Sequence, residues 1–386
     1  MRILVVGSDS NAYTLAKYFS NLERVDIVFV APGLYGAGDF YTPIDISASN
    51  VDELLEFVRA NEINLTVVAS EDAVANSIAD VFGKEKLPIF APLADSARIA
   101  LSKASAKKTL YKLRIQTPKF GIFDRENMAI DYVRKSKYPI VIKRDNHVKV
   151  EPPLLCNTFS KAKLTVEKLF ESNAKKILVE DFVDAKEVAF YVITDGYTAL
   201  PIGRVSSMKG TSKYSVYSPD FYLSSDVESK LMKRVVYPII DEIAKHSSPY
   251  VGILGFDVLL SGQNFQILEV NSFFNEVHFQ AMLPLIKDDL LDLMFASISG
   301  SLSDDYSAVT FNDEVAYSVK VQNSDVQDVD LSDFDVSSAQ GYKILTTSGR
   351  VLTSAVKNMR DSFEFANICD NFVEELSSIV EDSIYD

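Results

Sequence analysis

The sequence lacks several residue types on which particular classes of protein depend. Its 386 residues include no tryptophan, two cysteines and three histidines. Because Cys156 and Cys369 stand far apart, without the spacing of a metal site, they predict a reducing compartment. No apolar run is long enough to span a membrane, and no signal-peptide pattern precedes the first strand pattern. We therefore expect a cytoplasmic protein with no membrane partner.

Positive charge is also scarce. The chain has 39 Lys and Arg against 54 Asp and Glu, which gives a net charge of −15. Surfaces that bind nucleic acid are basic because they neutralise phosphates, so no nucleic-acid partner is expected. Apolar residues are plentiful at 47%, and 24 Phe and 18 Tyr are enough for well-filled cores. The composition is typical of a soluble globular protein with two to four subdomains.

Strand and helix signals alternate over residues 1–95. The predicted strands cover 3–6, 27–30, 65–69 and 88–90, and the predicted helices cover 12–22, 51–61 and 73–82. This alternation predicts a doubly wound parallel sheet with its ligand crevice after the first strand. The turn at that point, Gly7-Ser-Asp-Ser-Asn11, is not the G-x-G-x-x-G fingerprint, so a dinucleotide site is not expected.

The rest of the chain mixes α/β and α+β patterns. The predicted helices cover 96–118, 127–135, 161–170, 227–246, 288–299 and 362–380. The predicted strands include 120–123, 139–143, 176–183, 187–194, 314–321 and 341–346. No internal repeat or low-complexity tract is visible.

Residues 255–271 predict a β-hairpin that carries oxygen ligands. Apolar and polar residues alternate before the turn at residues 261–264, and the return strand ends in Glu269-x-Asn271. Glu269 and Asn271 share one face of their strand, and Asp257 lies opposite Glu269 if the strands pair in this register. Such oxygen donors suit Mg²⁺, although an ordinary, partly solvated hairpin edge is the alternative.

Other charged residues stand at strand ends or on helices. Lys143 ends an apolar strand, where a charge is uncomfortable unless an anion meets it. Taken alone, Lys103 indicates a solvated helix lysine, and Glu180 and Glu187 indicate edge-strand carboxylates. His278, just past the hairpin, is compatible with a substrate contact or with a surface-helix histidine.

Taken together, these residues resemble a known pattern. The ordered set Lys103, Lys143, residues 180–183, Glu187, Asp257 and Glu269-x-Asn271 resembles that of an ATP-grasp ligase. The whole chain resembles the glycinamide ribonucleotide synthetase family, also called phosphoribosylamine–glycine ligases. The matching segments include Arg2-Ile-Leu-Val-Val-Gly7, Val28-Phe-Val-Ala-Pro-Gly33, Leu101-Ser-Lys103 with Lys107, Tyr138-Pro-Ile-Val-Ile-Lys143, Ile177-Leu-Val-Glu-Asp-Phe-Val-Asp184, Ile267-Leu-Glu-Val-Asn271 and Ser348-Gly-Arg-Val-Leu352.

The resemblance implies a fold and a division into domains. It implies a Rossmann-like domain at 1–95, two ATP-grasp subdomains at 96–183 and 184–304, and a small α+β domain at 305–386. The implied activity is an ATP-dependent ligase that joins a carboxylate to an amine through an acyl phosphate, in purine biosynthesis if the family substrates are kept. The chain would act as a monomer or homodimer on small molecules.

The resemblance also implies roles for individual residues. Lys103 and Lys143 would neutralise the phosphates of ATP. The linker Glu180-Asp181-Phe182-Val183 would meet adenine through backbone groups and the Glu180 carboxylate, and Glu187 would meet the ribose. Asp257, Glu269 and Asn271 would hold Mg²⁺ or Mn²⁺. No catalytic acid or base is implied.

The chain departs from the family pattern in its loops. The family's glycine-rich loop is the glycine-free segment 144–153 here, and a second glycine-rich stretch is largely lost at 210–215. Phe273 replaces an arginine, and Ser8-Asp-Ser-Asn-Ala12 replaces a turn of the phosphoribosylamine site. We assign Phe273 and Phe274 to packing or to a narrowed pocket. Three interpretations stay open: a family synthetase with altered loops, a ligase for other substrates, and a non-catalytic nucleotide- or partner-binding protein.

Overall fold

The structure is a computed structural model. It describes residues 1–33, 40–145, 153–210, 214–219, 223–312, 315–321 and 352–357. The strand predicted at 341–346, the helix predicted at 362–380, Cys369 and most of the segment 144–153 lie outside the described residues. The middle of the second loop, 211–213, lies outside them as well.

The N-terminal region is a five-stranded parallel sheet, as predicted. Its strand order is β3-β2-β1-β4-β5. Its elements are β1 (Arg2–Gly7), α1 (Ser10–Ser20), β2 (Ile27–Pro32), β3 (Thr42–Pro43), α2 (Val51–Ala60), β4 (Leu65–Val68), α3 (Glu71–Ala75), α4 (Ile78–Lys84) and β5 (Ile89–Phe90). The single helix predicted at 73–82 is wrong. Ser77 takes φ 63°, a left-handed conformation that interrupts an α-helix and separates α3 from α4.

The middle region is a four-stranded antiparallel sheet with the order β6-β9-β7-β8. Its elements, with the two helices that precede it, are α5 (Arg98–Leu101), α6 (Lys103–Lys112), β6 (Phe120–Phe123), α7 (Glu126–Lys135), β7 (Ile140–Arg144), β8 (Leu154–Cys156), α8 (Phe159–Glu171) and β9 (Ile177–Asp181). The helix predicted over 96–118 is split at Ser102, whose extended backbone ends α5 and whose hydroxyl caps α6.

The third region is a seven-stranded sheet with the order β14-β13-β10-β11-β12-β15-β16. Its elements are β10 (Lys186–Thr194), β11 (Ala199–Gly210), β12 (Tyr214–Pro219), α9 (Ser225–Leu231), α10 (Tyr237–His246), β13 (Gly252–Ser261), β14 (Asn264–Asn271), α11 (Glu276–Met282), α12 (Leu290–Ser299), α13 (Leu302–Asp305), β15 (Val315–Val321) and β16 (Leu352–Lys357). A π-helical turn over Met232–Val236 joins α9 to α10 inside the helix predicted at 227–246. Strands β15 and β16, beyond the predicted boundary at 305, join this sheet; the division into domains stays a prediction.

Buried apolar residues form three cores that divide the molecule. Two of them join the N-terminal sheet to the seven-stranded sheet; Leu4 and Phe190 share one, and Phe19 and Tyr191 share the other. The third lies within the four-stranded sheet and its helices, where Ile142 is fully buried. The four-stranded sheet therefore has a core of its own. We call the region where its Lys143 meets Glu269 of the seven-stranded sheet the cleft.

The state of Cys156 and the lengths of the helices bear on where in the cell the protein is expected. Cys156 is buried and forms no disulfide with any of the residues that the structure describes. In the part of the chain that the structure describes, no helix combines the length and the apolarity needed to cross a membrane.

The turn after β1 is closed by its own carboxylate. The Asp9 side chain accepts hydrogen bonds from the backbone N–H groups of Asn11 and Ala12, each at 3.1 Å, and so caps α1. We expect Asp9→Ala to lower the free energy of unfolding by about 1 kcal/mol, the usual cost of a lost cap. Asp9→Asn, which keeps an acceptor oxygen, should retain most of that stability. Urea denaturation of both variants measures the difference, and equal losses would contradict the cap.

Candidate active site

Lys143 and Glu180 face the cleft from the four-stranded sheet. Their strands alternate: Ile140 and Ile142 of β7 and Val179 of β9 belong to the third core, so the intervening side chains point the other way. Lys143 is 5% exposed and Glu180 only 1%. Lys143 Nζ lies 2.8 Å from Glu180 Oε2. The position that looked uncomfortable in sequence is therefore a buried ion pair.

A second buried lysine, Lys107, also contacts Glu180, although the sequence pattern predicts no role for it. Lys107 is 1% exposed on α6, and its Nζ lies 2.5 Å from Glu180 Oε1. It also donates hydrogen bonds to Thr117 Oγ1 at 2.6 Å and to the Leu268 carbonyl at 2.8 Å. The sequence did hold a sign that Lys107 is buried, because it lies among the apolar residues of α6, four residues after Lys103. Both Glu180 oxygens are at ion-pair distance, although neither accepts a well-directed hydrogen bond.

A β-bulge in the hairpin prepares this contact. Asp257 pairs with Glu269 as predicted, but Val258 pairs with Ile267, so Leu268 has no partner across the ladder. A bulged residue leaves its backbone groups unpaired, and here Lys107 binds the free carbonyl. The bulge also changes which face Glu269 occupies. Ile267 and Val270 point into the apolar core, whereas Glu269 faces the cleft.

The predicted metal ligands lie on the cleft face of the seven-stranded sheet. Glu269 is opposite Asp257, and Asn271 Nδ2 donates to Asp257 Oδ2 at 3.1 Å. Glu269 also meets two lysines: Lys143 Nζ lies 2.6 Å from its Oε1 and Lys103 Nζ lies 3.8 Å from its Oε2. Among the described residues, no three His, Cys, Asp or Glu side chains are grouped as a metal site. The donor set is two carboxylates and an amide.

The charged groups in this cluster shift one another's pKa values. Burial opposes the charge on Lys143, but the Glu269 and Glu180 carboxylates outweigh it and raise the pKa of Lys143 above the ordinary lysine value. For Lys107 burial dominates over the nearby Glu180 carboxylate, and its pKa is lowered. Burial also opposes the charge of Glu269, yet Lys143 and Lys103 hold its pKa below the usual range. Lys143 and Glu269 are thus a mutually stabilised ion pair.

The predicted nucleotide-binding residues on the linker are placed differently from one another. The Glu180 carboxylate lies between two lysines and not at the protein surface. Asp181 ends β9, and its N–H donates to the Lys119 carbonyl. Val183 is half-buried in the linker between β9 and β10, and Glu187 is exposed on β10. The adenine and ribose roles of these residues stay predictions.

The turn after β1 and the segment after β14, which also differ from the family pattern, contact each other. Asn11, in the turn that Asp9 caps, donates from Nδ2 to the Phe274 carbonyl at 3.0 Å. Phe274 is 2% exposed and stacks on Phe279 with ring centroids 4.3 Å apart. Phe273 is half-buried beside it. Phe274 is therefore a packing residue, and only Phe273 keeps partial exposure.

Comparisons with known proteins agree with this geometry. Models of phosphoribosylglycinamide synthetase match the chain with their N domain over residues 1–100 and with their ATP-grasp (A) domain over residues 101–278. The phosphoribosylamine–glycine ligase of Lactococcus lactis is 30% identical over 311 residues, 78% of this chain and 76% of that protein. The ligase of that name from Caldanaerobacter subterraneus is 27% identical over 316 residues, again 78% and 76%.

A solved structure supports the fold. The crystal structure of phosphoribosylamine–glycine ligase from Thermotoga maritima matches with a TM-score of 0.72 at 16% identity, and the match covers 93% of each chain. The predicted ATP-grasp fold is confirmed, with a parallel sheet in the N-terminal region and antiparallel sheets elsewhere. The chain belongs to the phosphoribosylamine–glycine ligase family of ATP-grasp proteins.

Proposed function

We propose that this chain is an ATP- and Mg²⁺-dependent ligase that joins glycine to phosphoribosylamine in cytoplasmic purine biosynthesis. The observation that carries the proposal is the charge cluster in the cleft. Three lysines from α6 and the four-stranded sheet meet Glu269 and Glu180 where the two sheets face each other. A cleft of this kind neutralises and positions polyphosphate, which is most of what phosphoryl transfer requires of a protein.

The lysines would bind the phosphates. Lys143 and Lys103 now contact Glu269, so bound phosphates would compete with a carboxylate for the same ammonium groups. Lys107 is held on three sides and is too buried to turn toward a ligand. Its role in this proposal is to neutralise Glu180 and to hold the bulge. Because Lys107 neutralises part of the Glu180 charge, the ammonium group of Lys143 remains available to bind phosphate.

The donor set on β13 and β14 fits Mg²⁺. This ion takes hard oxygen ligands and is commonly held by one or two carboxylates together with substrate phosphates. Asp257 and Glu269 are the two carboxylates, and Asn271 is held beside them by its hydrogen bond to Asp257. When bound, Mg²⁺ would offset the charge that develops on the transferred phosphoryl group.

The reaction balances without a further co-reactant. An oxygen of the substrate carboxylate attacks the γ-phosphorus of ATP, and ADP leaves with the electron pair of the broken P–O bond. The amine nitrogen then attacks the acyl carbon, the C–O bond to phosphate breaks, and phosphate leaves as the amine loses a proton to water. The lysines and the carboxylates of the cleft would bind and orient these groups, so that both reactants meet in one place.

A ligase for a different amine is the second candidate, and Asp9 is the observation that favours it. The N-terminus of a helix that follows a β-strand is a natural anion site. In this chain the Asp9 carboxylate occupies two of the N–H groups at that position and adds a negative charge. A phosphorylated amine therefore finds a less favourable site here than a neutral one does.

ADP release tests the proposal. Purified protein with ATP, Mg²⁺, glycine and phosphoribosylamine should release ADP and phosphate, and omission of either substrate should suppress the release. Turnover only with another carboxylate and amine would show that the protein is a ligase whose substrates differ from those of the family. If no pair turns over and calorimetry detects no Mg·ATP binding, the ligase proposal fails, and a nucleotide-free scaffold or partner-binding protein remains.

A further inference from the structure

A pocket outside the cleft lies beside the turn of the hairpin formed by β13 and β14. It has a volume of about 250 Å³ and is lined by residues 114–116 after α6, residues 263–265 at the hairpin turn, and Lys230, Arg234 and Val235. We call it the hairpin pocket. Among the described residues that line it, none belongs to the charge cluster of the cleft. It is therefore separate from the proposed ATP site.

Two arginines that line the hairpin pocket have no partner of their own. In the part of the chain that the structure describes, the side chains of Arg114 and Arg234 make no hydrogen bond or ion pair. Most of the other described arginines pair with carboxylates, as Arg59 does. Lys230 also lines the pocket, but it pairs with Asp226 at 2.6 Å. The two arginines repel each other, and an anion bound between them would offset that repulsion.

The other lining groups indicate what kind of anion fits. A guanidinium offers a planar fork of N–H donors that matches the oxygens of a phosphate. Ile115 and Val235 are buried and Phe265 is half-buried, so these side chains form an apolar wall with one flat ring. The side-chain amides of Gln116 and of the hairpin turn add donors and acceptors. Because pockets for drug-sized molecules measure roughly 300–1,000 Å³, this one suits a smaller ligand.

The hairpin pocket is connected to the strand that carries Glu269. Arg114 has φ 56°, and this left-handed residue follows the end of α6 and turns the chain toward β14. The Gln116 carbonyl then accepts a hydrogen bond from the Ile267 N–H at 2.8 Å. Arg234 lies in the π-helical turn between α9 and α10, and such turns are frequent at functional sites. A ligand held by both arginines would therefore join two segments beside the hairpin turn.

We propose that the hairpin pocket binds a small phosphate monoester that carries a flat ring, with the phosphate between Arg114 and Arg234 and the ring against Phe265. A phosphate monoester carries nearly two negative charges at neutral pH, which matches two guanidinium groups. The bound ligand holds the loop after α6 against the hairpin. No part of this site requires ATP, so the proposal goes beyond the proposed ligase and does not depend on it.

The alternative is that both arginines are solvated surface residues, and the chain offers a matched control for it. Arg125, just before α7, is exposed and also has no side-chain partner among the described residues, but it does not line the hairpin pocket. Arg125→Gln removes the same charge as Arg114→Gln and Arg234→Gln. All three side chains are exposed, so the variants should fold, and equal urea midpoints check this.

Calorimetry of the full chain with phenyl phosphate tests the site. We expect a Kd below about 1 mM, and inorganic phosphate, which lacks the ring, should bind at least about threefold more weakly. Arg114→Gln and Arg234→Gln should each weaken binding of phenyl phosphate by at least about tenfold, because each removes a charge-assisted hydrogen bond. Arg125→Gln should change the Kd by less than about twofold.

Two further measurements locate the ligand. Phe265→Leu keeps an apolar side chain but removes the flat ring, so it should weaken binding of phenyl phosphate and leave that of inorganic phosphate unchanged. Hydrogen exchange of the Ile267 amide should slow by at least about threefold in saturating phenyl phosphate. The reason is that this amide donates to Gln116, which lines the pocket.

Three results would overturn the proposal. The first is the absence of binding heat with phenyl phosphate up to about 10 mM. The second is an equal Kd in all three arginine variants, which would show that no particular arginine holds the ligand. The third is binding that is lost in Lys103→Gln and retained in Arg114→Gln and Arg234→Gln, which would place the ligand in the cleft. None of these results bears on the ligase, which Mg·ATP binding and ADP release test separately.

Discussion

Lys107→Ala is expected to lower the free energy of unfolding by about 3–5 kcal/mol, the range found when one partner of a buried ion pair is removed. The physical reason is that Lys107 satisfies three groups at once. Without its ammonium, the Glu180 carboxylate keeps only Lys143, while the Leu268 carbonyl at the bulge and the Thr117 hydroxyl lose their donor. Urea denaturation, followed as a shift of the midpoint at unchanged slope, measures the loss.

The neighbouring residue provides a matched control. Lys108 is on the same helix but exposed, so Lys108→Ala should change the free energy of unfolding by no more than about 0.5 kcal/mol. Both substitutions remove the same side chain and the same charge, so the difference between their effects on the free energy of unfolding measures the contribution of the buried contacts. Equal effects of the two substitutions would show that the buried pair contributes nothing to the stability of the folded protein.

Glu269→Ala is expected to lower turnover by about 100- to 1,000-fold, the usual cost of one preorganised electrostatic group. It should also abolish the dependence of nucleotide binding on Mg²⁺. Glu269 is the carboxylate that the hairpin bulge directs into the cleft, opposite Asp257 and within ion-pair distance of Lys143. Calorimetric titrations of ATP with Mg²⁺ and with a chelator measure the second effect without any need to know the substrates.

An exposed carboxylate elsewhere controls for the loss of one negative charge. Glu171 ends α8 and faces solvent, so Glu171→Ala should leave turnover and the Mg²⁺ dependence of binding unchanged. A non-catalytic homologue predicts that Glu269→Ala behaves like Glu171→Ala. If Glu269→Ala kept Mg²⁺-dependent nucleotide binding, the metal site would not be on this hairpin.

Much of the fold could be predicted because local patterns and tertiary structure agree. The N-terminal alternation of strands and helices gave the parallel sheet, and the polar turn at 261–264 gave the hairpin with Asp257 opposite Glu269. The bulge was missed, although the pattern contains its signal. Ile267 and Glu269 should share a face in a regular strand, yet one is apolar and the other charged. An extra residue between them resolves that conflict.

The remaining parts of the site depend on contacts between distant segments. Lys107 and Glu180 are 73 positions apart in the sequence, and nothing near either residue identifies its partner. The hydrogen bond between the Tyr191 hydroxyl and His278 Nδ1 requires the register of β10 against β13 and the course of the chain after β14. The break between α3 and α4 depends on one left-handed residue, Ser77, in a run with ordinary helical periodicity.

The separate core of the four-stranded sheet has a consequence for how the cleft opens. Apolar packing holds the other two sheets together, whereas the four-stranded sheet meets them through two ion pairs, Lys143 with Glu269 and Lys107 of α6 with Glu180. Ion pairs exchange for water and for ligand charges at little net cost, but an apolar core does not. We therefore expect that separation of the four-stranded sheet from the larger body depends on ionic strength and on the charge of a bound ligand, while the apolar cores stay folded.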